Sequence, residues 1–320
     1  MFIEIIVVVL IIYSFIRFFI SRKSDSLSCL VGKTAIVTGG NSGIGYATSL
    51  LLASRGCKVI IADCMNAEKS RDEIIKETGN PLVVYKHLDL ASFEAIRQFV
   101  KDIGNTEEKI DILINNAGAS TASSKVTEDG LNSIMQINYF GAFLLTHLLL
   151  DKLKASGSAR VIFLGSVSIF THTVNLNNLN LTDYDPKRAL WRLYANSKFC
   201  NVFAAQEFGK KLKKFGICVN SVDPGAVKTP IFEKTLKVNS RWNISVPIAL
   251  ALIIFGQDPL SGSQTIFDVA TNSKYETKTG GHYSFLCPWF KPKVLRNKKF
   301  CDDIWKESEN LTKLKEEEKI

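Results

Sequence analysis

Short apolar runs rich in β-branched residues recur along the chain, separated by segments whose apolar positions repeat at helical spacing. The runs Thr34–Val37, Val59–Ala62, Leu82–Tyr85, Asp111–Ile114, Val161–Leu164, Ile217–Ser221 and His282–Phe285 predict seven strands. The segments Ile44–Arg55, Phe93–Ile103 and Ala195–Phe215 predict helices between them. Strands alternating with helices imply a parallel sheet covered on both faces. The expected architecture is therefore α/β, a single doubly wound domain with a parallel seven-stranded sheet over residues 31–308. No internal repeat interrupts it. The Lys/Glu-rich residues 309–320 read as a charged tail, a solvated helix or a frayed end.

A different pattern stands at the amino terminus. Phe2 to Ile20 is almost continuously apolar, with only Glu4 and Arg17 charged. As a helix this run would reach roughly 28 Å, about one hydrocarbon thickness. Arg17, Arg22 and Lys23 follow its apolar centre, and no basic side chain precedes it. The positive-inside bias then predicts a single-pass anchor over residues 1–20, a polar linker over 21–30 and a cytosolic domain beyond. A cleaved signal peptide and an interfacial helix are the rivals. The first lacks a basic start and a small-residue cleavage site; the second would lie in the headgroup plane. Three sequons, at Asn180, Asn243 and Asn310, would carry glycans only if the domain were luminal.

Bulk properties narrow the partners. Among 320 residues, 46% are hydrophobic and 22% charged, enough apolar surface for a large core. The net charge of +9 is scattered apart from small clusters such as Lys210, Lys211, Lys213 and Lys214. Solvated helix faces or a membrane-facing rim account for such clusters, and no nucleic-acid partner is expected. Seven cysteines at irregular spacing and four distant histidines predict reduced thiols and no metal site.

The chemistry begins right after the first strand, where Thr38-Gly39-Gly40-Asn41-Ser42-Gly43-Ile44-Gly45 leads into a helical pattern. Strand, glycine loop and helix in that order form a Rossmann-type phosphate site. Glycine lets backbone approach a pyrophosphate whose charge meets the helix N-terminus. The second strand ends on Asp63, placed to accept hydrogen bonds from the adenosine ribose. Its carboxylate would repel a 2′-phosphate, and neither Ser42 nor Cys64 supplies a cation for one. NAD is therefore preferred, with NADP as the alternative.

Tyr194-Ala195-Asn196-Ser197-Lys198 opens the long third helix of this reading. Tyr and Lys at i and i+4 share a face. A free phenol titrates near pH 10, and a neighbouring ammonium favours its ionised form. Other motifs accompany this pair in order: Asn115-Asn116-Ala117-Gly118 after the fourth strand, Asn138 within Gln136-Ile137-Asn138-Tyr139, Ser166 ending the fifth strand, and Asp223-Pro224-Gly225-Ala226-Val227-Lys228-Thr229 after the sixth. Together they resemble the short-chain dehydrogenase/reductase family over roughly residues 31–308.

That resemblance implies roles, position by position. Ser166 would bind the substrate oxygen, Tyr194 would be the general acid or base, and Lys198 would hold the nicotinamide ribose and keep the Tyr194 pKa low. Asn138 would fix a water relaying protons from Lys198. Gly39, Asn41, Ser42, Gly43, Ile44 and Gly45 would line the pyrophosphate, and Asp89 and Leu90 the adenine. Asn116, Ala117 and Gly118 would lie along the cofactor cleft, with Pro224, Gly225, Val227 and Thr229 on the nicotinamide side. Ser168 competes with Ser166, which is preferred for its place at the strand end.

Within the family the chain is similar to retinol dehydrogenase-like microsomal members. The long gap between Ser166 and Tyr194, the stretch Tyr194 to Asn201 and the region Gly280 to Ser308 carry that likeness. It implies an endoplasmic-reticulum or other intracellular membrane and a lipophilic alcohol or carbonyl substrate: a retinoid, an isoprenoid or fatty alcohol, or a sterol. It also implies membrane lipid as a contact; two long helices offer the dimer face seen in relatives, but membrane forms vary and the oligomeric state, a homodimer or otherwise, stays open. Many relatives carry Cys-Arg where this chain has Asp63-Cys64, which weakens transfer of substrate and direction. Residues 230–260 would form a substrate lid, whose run Ile248–Phe255 is strongly apolar. Three other readings stay open: a catalytically silent dinucleotide-binding scaffold, an NADP-dependent carbonyl reductase, and a nucleotide-sugar epimerase or dehydratase. The last fits the glycine spacing least.

Overall fold

The computed structural model describes residues 22–120, 125–183, 185–229 and 256–320. The predicted anchor over 1–20 and most of the predicted lid over 230–260 lie outside the described residues. Among the described residues, no helix is long and apolar enough to cross a membrane.

The sheet has the strand order β3-β2-β1-β4-β5-β6-β7-β8. Its strands are β1 (Thr34–Thr38), β2 (Lys58–Asp63), β3 (Val83–His87), β4 (Ile112–Asn115), β5 (Arg160–Leu164), β6 (Cys218–Asp223), β7 (His282–Ser284) and β8 (Cys287–Pro288). The first seven pair in parallel, as the alternating pattern predicts. The count of seven is corrected to eight, because β8 pairs antiparallel with β7. Two residues that include a proline carry no periodicity, so this edge strand leaves no mark in the sequence pattern.

Alternation along each strand feeds two separate cores. Ile36, Ile60, Leu113, Val161 and Phe163 point to one face, against α3 (Phe93–Thr106), α4 (Gly141–Leu148) and α6 (Pro186–Leu212). Val37, Ile61, Ile114 and Ile162 point to the other, against α1 (Gly43–Ala53), α2 (Glu68–Thr78) and α7 (Pro259–Thr271). Helix α5 (Leu150–Ala155) leads into β5, and α8 (Lys298–Leu311) closes the chain on the first face.

Three boundaries differ from expectation for physical reasons. Helix α6 starts at Pro186, so Tyr194 lies in its interior instead of opening it. Proline suits a first helical position because the missing N–H would have had no partner there. The polar linker is not loose. The Ser24 hydroxyl donates to Asp268 at 2.8 Å, Ser28 donates to the Thr271 carbonyl at 2.7 Å, and Ser26 is buried against Thr271. The tail also docks, with Leu314 buried and Arg97 paired to Glu318.

Between β7 and β8 the turn residues Phe285 and Leu286 have φ of 50° and 63°. Two left-handed residues match the twist of a tight hairpin, yet Asn or Gly normally occupies them. A side chain there costs about 1–2 kcal/mol per residue. The Phe285 ring offsets this by packing on the backbone of Gly225, where an added Cβ would meet it at 3.3 Å.

Candidate active site

Strand order reverses between β2-β1 and β4-β5, and a cleft opens at the carboxyl ends of these strands. This is where open α/β sheets present their ligands. The cleft holds about 340 Å³.

Its floor at one end is the glycine loop. Gly39 and Gly43 have φ of 67° and 55°, values open to glycine and strained for other residues. At Gly45 a Cβ would run into the Gly39 carbonyl oxygen and lie 2.5 Å from Asn116 Nδ2. That amide donates to the Thr38 carbonyl at 2.8 Å and so ties β4 to the loop. Ser42 makes no side-chain capping bond to α1, and the first turn of α1 carries no acidic residue. The first N–H groups of α1 therefore face the cleft mouth ready for an anion. The backbone cradle fits a dinucleotide pyrophosphate.

At the adenosine end, the Asp63 carboxylate accepts from the backbone N–H of Asn41 at 3.2 Å and of Met65 at 3.0 Å. Asp89 and Leu90 form the adjoining wall. Among the described residues lining the cleft, Lys198 is the only cation.

At the far end stand Ser166, Tyr194 and Lys198, with Pro224, Gly225, Val227 and Thr229 opposite. Ser166 follows β5; its hydroxyl bonds the Tyr194 phenol and accepts the Ser168 N–H at 3.2 Å. Ser168 is buried and does not line the wall, whereas Ser166 does. Lys198 Nζ donates to the Leu164 carbonyl at 3.3 Å and lies 5.7 Å from the Tyr194 ring centre.

Burial dominates the charges here. Burial pushes the Tyr194 phenol up to about 12, Asp223 pushes in the same direction, and the Ser166 bond opposes both. Burial likewise draws Lys198 down to about 8 against the pull of Asp223. Desolvation sets the direction, so the neutral phenol is favoured at neutral pH.

Two residues sit differently from their expected roles. Asn41 faces away from the cleft, with its amide oxygen taking the Ser70 hydroxyl at 2.7 Å. Asn138 does not line the wall. Its Oδ1 accepts the Ala119 N–H at 2.6 Å, and its Nδ2 donates to the Ala119 carbonyl and to Ser197 Oγ, both at 2.9 Å. It still lies beside the cluster, since a Cβ on Gly118 would be 3.5 Å from Asn138 Oδ1 and 3.3 Å from Lys198 Nζ. Asn138 belongs to a single π-turn, Gln136–Phe140, closed by the Gly141 N–H on the Gln136 carbonyl. Such turns recur at functional sites.

Asp223 opens the motif that follows the sixth predicted strand and has no role of its own in the sequence pattern. It is buried at the cleft end of β6, accepts the Gly225 N–H at 2.9 Å, and burial raises its carboxyl to about 6. An acid at the end of a fully buried strand is not marked by the sequence, because Asn220 and Ser221 already interrupt its apolar run. Cys64 lines the cleft beside Asp63 and was likewise passed over as a contact. Among the described residues, no group of His, Cys, Asp or Glu is placed to hold a metal ion.

Comparison with known proteins agrees with this geometry. A family model described as short chain dehydrogenase matches residues 33–178. Retinol dehydrogenase 13 of Mus musculus is 34% identical over 293 residues, covering 90% of this chain and 86% of its own. The chain belongs to the short-chain dehydrogenase family. Like others of that family it is an oxidoreductase acting on CH–OH donors with NAD(P). Within the family it is retinol dehydrogenase-like, for Retinol dehydrogenase 11 of Mus musculus is 35% identical over 80% of this chain and 78% of its own. Among solved structures, an uncharacterized protein from Mycobacterium Paratuberculosis superposes with a TM-score of 0.69 at 25% identity, covering 91% of this chain and 97% of that one. Levodione reductase shares the short-chain dehydrogenase fold at a TM-score of 0.64 and 20% identity, covering 80% and 96%.

Proposed function

We propose that this enzyme interconverts a lipophilic alcohol and its aldehyde or ketone, with NAD as the favoured cofactor. It does so from the cytosolic face of the endoplasmic reticulum or another intracellular membrane, held by a single-pass anchor over residues 1–20. The observation carrying the reading is the convergence of Ser166, Tyr194 and Lys198 at one end of a cleft whose other end is the glycine loop. The retinol dehydrogenases aligned over most of the chain support a greasy substrate, as does the apolar run Ile248–Phe255.

When bound, the dinucleotide accepts or supplies the hydride at the carbinol carbon. The chain does the rest. Ser166 donates to the substrate oxygen and stabilises charge that develops there. Tyr194 takes the hydroxyl proton in oxidation and returns it in reduction. Lys198 holds ribose hydroxyls and adds positive charge next to the phenol. Asn138 steadies the Ala119 backbone beside Lys198 and would fix a water that relays protons from Lys198. Tyr194, which burial holds neutral, would ionise more readily beside the positive charge of an oxidised nicotinamide.

A pH signature follows from the sign of these shifts. Because the neutral phenol is favoured, oxidation is expected to speed up as pH rises from neutral to alkaline, while reduction slows. Asp223→Asn removes a charge that raises the Tyr194 pKa, so both limbs are expected to move to lower pH. Initial rates in both directions across that range check this; unmoved limbs would exclude Asp223 as a determinant.

Cofactor choice rests on Asp63. With no cation but Lys198 on the described wall, a 2′-phosphate would meet a carboxylate and no compensating charge. Wild type is expected to favour NAD over NADP by at least about tenfold in kcat/KM, and Asp63→Ala to narrow the gap mainly by weakening NAD. A turnover panel with both dinucleotides on retinol, farnesol, long-chain alcohols and hydroxysteroids measures this and names the substrate. Strong NADP preference in wild type would overturn the reading of Asp63. NADH binding without turnover on any alcohol would favour a silent scaffold. A glycosidase-sensitive mobility shift would refute the cytosolic orientation.

A further inference from the structure

The β7–β8 hairpin places large apolar side chains where water would otherwise hold them. Phe290 is 76% exposed and Trp289 38% exposed directly after β8. Both are held in place. The Trp289 N–H donates to the His282 carbonyl at 2.8 Å and extends the hairpin pairing. Trp289 stacks edge-on to Phe285 at 6.1 Å and to Phe290 at 5.9 Å. Phe285 in turn rests on Gly225 in the cleft wall. An aromatic chain thus runs from the nicotinamide end of the cleft to the surface.

The route of the amino terminus says what covers this tip. The apolar stretch Phe2–Ile20 lies outside the described residues, and the chain enters the described structure at Arg22. The Arg22 guanidinium sits 3.5 Å from Cys287 Sγ in β8. From there Ser24 to Ser28 are bonded to α7. Two residues past Ile20 the Arg22 side chain therefore reaches the hairpin, with no more than roughly 7 Å of backbone between Arg22 and the apolar stretch. Lys23, Lys293 and Arg296 are exposed nearby in sequence to these two segments. Exposed aromatics on a hairpin that the Arg22 guanidinium touches match the layering of a bilayer surface, with rings at headgroup level and cations on phosphates.

We propose that the β7–β8 hairpin is a membrane-contact finger: Trp289 and Phe290 enter the headgroup layer of the bilayer that holds residues 1–20, with cations at its base on anionic lipid. This rests on the reading of the chain as membrane-anchored and adds which face of the domain meets the lipid. The finger brings the cleft end beside Gly225 towards the membrane, so a lipid-dissolved alcohol reaches the site without crossing bulk water.

The test uses the full chain in phosphatidylcholine–phosphatidylserine vesicles, with and without brominated acyl chains. The fluorescence difference between wild type and Trp289→Phe reports Trp289 alone. Brominated lipid is expected to lower that difference at least about twofold. In parallel, Phe290→Ser is expected to raise KM for a vesicle-borne long-chain alcohol at least about threefold while leaving a short water-soluble alcohol unchanged. This second variant keeps the question answerable if Trp289→Phe folds poorly. An unquenched difference, in vesicles that keep the protein through an alkaline wash, overturns the finger and leaves the anchor standing. Protein lost in that wash overturns both. A dimer dissociated by Phe290→Ser, with no quenching, assigns the surface to a second copy and overturns the proposal.

Discussion

Tyr194→Phe is expected to lower kcat by about 10²–10⁴-fold in both directions, the range for losing a positioned proton donor or acceptor. The ring stays, so its packing near Trp191, 6.2 Å away, is kept. Only the hydroxyl leaves, together with its bond to Ser166. Dinucleotide affinity should then change little, since the glycine loop and Asp63 lie at the other end of the cleft. Paired measurements of kcat and of NADH binding by fluorescence titration separate the two. A variant that turns over within about tenfold of wild type would remove Tyr194 from the chemistry.

Gly45→Ala is the second large effect, and it acts on the cofactor. The new methyl would collide with the Gly39 carbonyl and with Asn116 Nδ2 at 2.5 Å. Both are fixed: Gly39 N–H bonds the Ala62 carbonyl at 2.8 Å and Asn116 bonds Thr38. The Gly39 carbonyl is backbone, and Asn116 Nδ2 is tethered by its bond to Thr38, so α1 and the loop must separate. Misplacement by an ångström at a binding loop costs about 10²-fold, and dinucleotide affinity is expected to weaken by that much or more. Overpacking of this kind destabilises by about 1–3 kcal/mol, so Tm should fall by several degrees. Titration with NADH and a thermal melt check both. Unchanged affinity would mean that the loop does not carry the pyrophosphate.

Legibility in the sequence tracked how local the physics is. The glycine loop was readable because sterics between neighbours dictate its spacing. Tyr194 and Lys198 were readable because helical period alone puts them on one face. Both β1 and β5 were readable as unbroken apolar runs between turn residues. What was lost depends on distant partners. Asn41 carries the right residue type for a phosphate loop, yet Ser70 of α2 claims its side chain. The ionisation of Tyr194 depends on a carboxylate 29 positions away and on the depth of the pocket, neither of which a motif encodes. The Phe285–Leu286 turn contradicts the usual turn chemistry, and only its packing on Gly225 explains it. The serines after residue 23 have the composition of a linker, and α7 makes them part of the body.

The π-turn at Gln136–Phe140 holds one residue more than an α-helix of the same rise would. Deleting any one of these five positions would let the backbone relax to ordinary winding. The turns on either side would keep their faces, because the π-turn is a one-residue surplus in an otherwise regular helix, and the bulged stretch alone would be re-aimed. Asn138, which bonds Ala119 and Ser197, lies in that stretch, and Gly141, whose missing side chain lets Leu90 approach, closes it. The surplus residue is thus a spacer on which both ends of the cleft depend, and length variation among descendants of this gene should avoid it.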